Sequence, residues 1–165
     1  MATTFSFDVV SDFDQQELVN TIDQLKREVS QRYDLKDSNS KITLEENKIV
    51  IETSSDLTLQ AIQDVLRQKA TKRKLSLKIF DFDKTESSAG NRVRQDINLR
   101  RGLSQEIAKK LSKVIRDKLK KITVSIQGDS LRITGKSKDE LQAAIEILKT
   151  QENELDVPLQ FENFR

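Results

Sequence analysis

The chain contains neither cysteine nor histidine. Without cysteine there are no disulfides and no thiolate metal sites. Without histidine the commonest general base and the commonest metal ligand are both missing. No apolar run approaches the roughly 20 residues that a helix needs to span a bilayer. The opening residues, MATTFSFDVV, carry no basic segment followed by an apolar one, so they do not read as a secretory signal. These absences predict a soluble, cytoplasmic, non-catalytic protein with no cofactor, no metal site and no membrane association. Charge is abundant instead: 34% of the 165 residues are charged and 35% hydrophobic, which suits small, solvated units with thin cores.

Hydrophobic periodicity lays out the elements. Phe5, Phe7 and Val9 alternate with Ser6 and Asp8, predicting a half-buried strand over 4–10. Asp14 stands as an N-cap with Glu17 three residues on, and Leu18, Ile22, Leu25 and Val29 follow at helical spacing, predicting a helix over 15–33. A hairpin over 41–53, a helix over 57–72 and a strand over 75–82 come next. In that strand Leu75, Leu77 and Ile79 are expected inward, leaving Phe80 and Phe82 outward on an apolar patch. Residues 83–91, DKTESSAGN, have no periodicity and read as a linker.

The order then repeats. A strand over 93–99 is followed by a helix over 104–119, a hairpin over 122–134 and a helix opened by Ser137 and Glu140. A strand over 157–164 closes it. KITLEENKIVIETSSDLTLQAIQDVL lies over KITVSIQGDSLRITGKSKDELQAAIEIL, and LSLKIFDF over VPLQFENF. The expected fold class is α+β, two tandem ferredoxin-like βαββαβ domains, each an antiparallel four-stranded sheet with two helices on one face. The expected boundaries are 1–84 and 92–165, with 85–91 between them. The same pattern is compatible with an exchange in which the first or last strand completes the other half's sheet.

Charge is concentrated in residues 92–121, where eleven basic and three acidic residues give +8 in a chain whose total is +2. By halves, residues 1–85 carry −2 (13 basic, 15 acidic) and residues 86–165 carry +4 (16 basic, 12 acidic). A cationic surface of this kind calls for an anionic partner. With Val93, Ile97 and Leu99 packed under the helices, Arg92, Arg94 and Arg100 are expected on the open face of the second sheet, with Arg132 on an adjacent strand. Arg101, Lys109, Lys113 and Lys136 extend that charge around the edge. Lys109, Lys113, Arg116 and Lys120 are spaced to share the outer face of the second half's first helix. These eight residues, Arg92, Arg94, Arg100, Arg101, Lys109, Lys113, Arg132 and Lys136, are the candidate binding set. No aromatic residue falls on the outward positions of that sheet's central strands, so phosphate contact without base stacking is the expected mode.

Other motifs have simpler explanations. Gly135-Lys136-Ser137 resembles the end of a phosphate-binding loop, but Ser130 stands where the first glycine is required, which excludes that motif. A single phosphate at the start of the following helix competes with a plain capping box there. Gly128-Asp129 fits a hairpin turn. The pairs Asp12/Asp14 and Asp81/Asp83 offer too few ligands for a hard cation.

Several runs resemble the YajQ family of small bacterial proteins: FSFDVVS at 5–11, GNRVRQDINLRRGLSQEIAKKLSKVIRD, IQGDSLRITGKSKDELQAAI, and PLQFENFR at the end. The resemblance spans nearly the whole chain. It implies tandem RNA-recognition-like domains, no established enzymatic activity, and binding of nucleotides or of nucleic acid such as RNA; some members are linked to cyclic di-nucleotide signalling, which makes a cyclic di-nucleotide a further expected partner. It carries no residue-level site. The competing expectation is an adaptor whose basic face meets an acidic protein partner.

Overall fold

In the computed structural model, residues 3–165 are described; Met1 and Ala2 of the MATT lead-in lie outside the described residues. The fold is mixed α/β, with four helices and two antiparallel sheets arranged as tandem βαββαβ units. The chain divides into a continuous unit, Phe13–Arg100, and a split unit made of Met1–Asp12 and Arg101–Arg165. The first strand, β1 (Phe5–Val10), alternates as expected, with Phe7 and Val9 fully buried. Its partners come from the end of the chain.

The continuous unit begins with α1 (Gln15–Gln31), capped by Asp14, whose carboxylate accepts from the amides of Gln16 and Glu17. Next come β2 (Lys41–Leu44), β3 (Lys48–Thr53) and α2 (Asp56–Lys72), which Ser55 and Thr58 open with a reciprocal capping box. The unit ends with β4 (Phe80–Phe82), β5 (Glu86–Ser88) and β6 (Arg92–Leu99). The sheet order is β2-β3-β6-β4, with β5 also paired to β6. Leu18, Ile22 and Leu25 of α1 pack with Ile62 and Leu66 of α2 over Ile49, Ile51 and Ile97 of the sheet.

Two expectations are corrected here. Residues 85–91 are not a linker. Glu86, Ser87 and Ser88 oppose Arg94, Val93 and Arg92, and the chain reverses through Ala89, Gly90 and Asn91, with φ of 75° at Gly90 and 59° at Asn91. This local reversal returns β6 onto β4 and against β3, so β6 completes the first sheet instead of opening the second. Phe80 and Phe82 do not form an outward patch. A 3₁₀ turn at Leu77–Ile79 breaks the strand alternation and turns both Ile79 and Phe80 into the core, leaving Leu77 exposed. Phe82 is half-buried against the same core, with the Arg67 guanidinium 4.7 Å from its ring centre.

The split unit continues with α3 (Gln105–Lys118), β7 (Thr123–Gln127), β8 (Ser130–Gly135), α4 (Lys138–Glu152) and β9 (Gln160–Glu162). Its sheet order is β7-β8-β1-β9. Phe7, Val9, Leu131 and Ile133 meet Leu111, Ile115, Ala144 and Leu148 in its core. Ile107 and Ile145 also contribute to that core, the former only partly buried. β9 is shorter than the expected strand, but backbone pairing resumes beyond a left-handed Asn163 (φ 59°): Ser6 and Arg165 exchange amide and carbonyl at 3.2 and 3.0 Å.

β1 thus joins helices that lie far along the sequence from it, whereas β6 follows both helices of its own unit. Each sheet keeps the strand order of a βαββαβ unit. In the split unit residues 13–100 lie between β1 and α3; in the continuous unit the central strand comes last.

Candidate anion-binding surface

The eight candidate residues do not share one sheet. Arg92, Arg94 and Arg100 belong to the continuous unit; Arg101, Lys109, Lys113, Arg132 and Lys136 belong to the split unit. The expectation that Arg94, Arg100 and Arg132 project from adjacent strands is therefore corrected. Their alternation was read properly, but alternation fixes which face of a strand is buried and says nothing about which sheet receives the strand.

The charge asymmetry between halves disappears with the same correction. The continuous unit has 16 basic and 15 acidic residues, the split unit 13 and 12, so each carries +1. Asp8 and Asp12 travel with β1 into the split unit, and Arg92, Arg94 and Arg100 leave with β6.

The arginines are held by their own folds. Arg92 donates to the carbonyls of Ser38, Asn39 and Glu52, tying the loop before β2 to the sheet. Arg94 lies 3.4 Å from Asp96, which also takes Lys48 at 3.1 Å. Those two cations, Lys48 first, hold the Asp96 carboxyl below the usual carboxylate range. Arg100 donates to the carbonyls of Lys78 and Phe80 and pairs with Asp81 at 3.2 Å. Arg101 pairs with Asp12 at 2.8 Å.

The open face of the split unit's sheet is not cationic. Ser125, Arg132, Asp8 and Glu162 form one row across β7, β8, β1 and β9. Arg132 is paired with Asp8 at 3.0 Å. Asn163 donates to Asp8 at 2.8 Å from the other side. The sheet part of the expected basic surface is engaged internally, Arg92 with backbone carbonyls and Arg94, Arg100 and Arg132 with carboxylates.

The helical part is different. Ala108, Leu111, Ser112 and Ile115 of α3 are buried, whereas Lys109, Lys110, Lys113 and Lys118 are exposed. Lys120 and Lys121 follow just beyond the helix, which ends at Lys118 with Leu119 in an extended cap; the expected placement of Lys120 on the helical face is corrected accordingly. None of these six lysines has an acidic partner among the described residues. Arg116 differs, donating to the Val124 carbonyl. Residues 101–121 hold eight basic and two acidic residues, +6 net. Cations in the last turn of a helix also complement its dipole, which accounts for Arg116 and Lys118 but not for Lys109, Lys110 or Lys113.

Lys136 is exposed, but the start of α4 beside it is occupied. Ser137 Oγ accepts from the Glu140 amide at 3.1 Å, and the Glu140 carboxylate lies 3.4 Å from the Lys136 amide. With Asp139 also in the first turn, this terminus already carries its own anions. Among the described residues there is no group of three or more acidic side chains placed to hold a metal ion, and no helix long and apolar enough to cross a membrane.

Two βαββαβ units, one of them with a lysine-faced helix, make a small α/β protein. Comparison with known proteins places it further: the family model for nucleotide-binding proteins of the YajQ-like type matches residues 5–165, so the chain belongs to that family. A nucleotide-binding protein of Prochlorococcus marinus (strain MIT 9211) is 76% identical over the full length of both chains. Relatives of the same description in Synechococcus sp. (strain CC9605) and Parasynechococcus marenigrum (strain WH8102) are each 72% identical, again over both full lengths.

Proposed function

We propose that this protein binds phosphates of nucleotides or RNA, without catalysing a reaction, through the lysine face of α3 and the basic residues that follow it. One observation carries this reading: six lysines over residues 109–121 have no acidic partner among the described residues, whereas the arginines of both sheets are engaged in internal bonds. Unpaired ammonium groups keep their charge available to a polyanion. A cation already paired with a carboxylate must give up that partner first. The descriptions of the relatives support the nucleotide part of the reading. Nothing in α3 selects among bases, so the helix contributes affinity and no sequence preference.

The test is the ligand carried through purification. Protein prepared at low salt is examined by absorbance and mass spectrometry. Copurified nucleotide or RNA, released by salt, is the expected result. An acidic protein copurifying in place of nucleic acid favours the adaptor instead.

A further inference from the structure

The split unit contains a second feature that the lysine face does not use. A cavity of about 400 Å³ opens between β1, α4 and the final residues of the chain, lined by Phe5, Lys138, Leu141, Gln142, Ile145 and Phe164 among others. That volume lies in the range of small-ligand pockets. Leu141 and Ile145 are buried and form an apolar floor.

Its aromatic walls are unusual for this chain. Phe164 is 61% exposed, although phenylalanine gains most from burial. It is not there by looseness. The Ser6–Arg165 backbone pair fixes the segment, and the ring lies on Phe7 with centres 5.6 Å apart and planes 28° from parallel. A held, exposed ring lining a cavity is a stacking surface. The Lys138 ammonium, also in the lining, stands 5.5 Å from the centre of the Phe5 ring and has no acidic partner among the described residues. Gln142 donates its amide N–H to Glu146 at 3.0 Å, which orients the side chain and leaves its carbonyl oxygen as an acceptor.

A flat apolar wall, a cationic side provided by Lys138 with Arg165 also in the lining, and one acceptor oxygen match three parts of a single ligand. From this geometry we infer that the cavity is the binding site for a nucleoside monophosphate whose base carries an exocyclic amine. The base stacks on Phe164, its amine donates to Gln142, and its phosphate meets Lys138. This deepens the nucleotide reading and rests on it, but it stands on a surface separate from the α3 face.

Equilibrium dialysis of the full chain against AMP, adenosine and inorganic phosphate tests the inference. AMP is expected to bind, adenosine more weakly, and phosphate alone not at all. Phe164→Ala is expected to weaken AMP and adenosine about tenfold or more, in line with base–aromatic stacking. Lys138→Gln is expected to weaken AMP and leave adenosine unchanged. RNA binding is measured on the same protein, where the pair Lys109→Glu, Lys113→Glu is expected to weaken it. If Phe164→Ala fails to fold, Phe164→Leu keeps the apolar contact with Phe7 and removes the aromatic face, with the same expected loss.

The inference is overturned if AMP does not bind, if phosphate alone binds as well as AMP, or if AMP binding survives loss of the Phe164 ring. RNA binding that the α3 pair weakens keeps the lysine-face reading standing in each of these outcomes.

Discussion

Arg132 on β8 reaches across to Asp8 on β1 with both ends of its guanidinium, Nε 3.0 Å from Oδ1 and Nη2 3.5 Å from Oδ2. The residues are 124 positions apart in sequence and directly opposed in the sheet. The pair ties the start of the chain to the hairpin of the split unit. The Arg132 hydrogen bond holds the Asp8 carboxyl below the usual carboxylate range against the opposing effect of burial, and Asn163 adds to it.

A pH dependence follows. A carboxyl whose pKa is lower folded than unfolded contributes stability above its unfolded value, and that contribution is lost as pH falls through the folded value. Asp8→Asn is therefore expected to be less stable than wild type at neutral pH, with the two converging as acid protonates Asp8. Thermal melts from pH 7 down to the acid limit check this. Arg132→Ala should lower stability as well and leave RNA affinity nearly unchanged.

The strand order has its own test, made simple by a chain without native cysteine. Glu52 on β3 is directly opposite Arg94 on β6. Glu52→Cys with Arg94→Cys is expected to form a disulfide under mild oxidation, seen as a loss of free thiol within the monomer. Two thiols that stay free would place β6 elsewhere.

Both cores were readable from periodicity, and truncation should register in each. Leu111 and Ile97 are fully buried in their respective units. Leu111→Ala or Ile97→Ala is expected to cost about 2–5 kcal/mol in urea unfolding, the range for deleting a buried aliphatic side chain.

Sequence reading captured the helices, the hairpins and their inward residues because each rests on local spacing. Leu18, Ile22, Leu25 and Val29 of α1 are all buried, as are Leu111 and Ile115 of α3. It misplaced β6 because assignment to a sheet is decided by distant partners. The local signal was nonetheless present: Gly90-Asn91 is a reversal signal of the kind that makes hairpins. The same misplacement assembled a cationic sheet that does not exist, since the carboxylate facing Arg132 arrives on a strand assigned to the other half. Lys109 and Lys113 lie exposed on α3 as helical spacing expects, because that placement is local, whereas Lys120 falls beyond the end of the helix. The Phe164 cavity was missed because it joins residues from both ends of the chain and the middle of α4.

The most direct measurement is the salt dependence of single-stranded RNA binding, by anisotropy between 50 and 200 mM salt, for wild type and for Lys109→Glu with Lys113→Glu. For about four to six phosphate contacts on a single strand, log affinity should fall against log salt with a slope of roughly −3 to −4. Binding through α3 requires that the pair weaken every RNA sequence alike and make that slope shallower by more than one unit, while Arg94→Ala leaves both nearly unchanged. Unaltered affinity and slope in the α3 pair, with loss in Arg94→Ala, would contradict it and return binding to the sheet of the continuous unit.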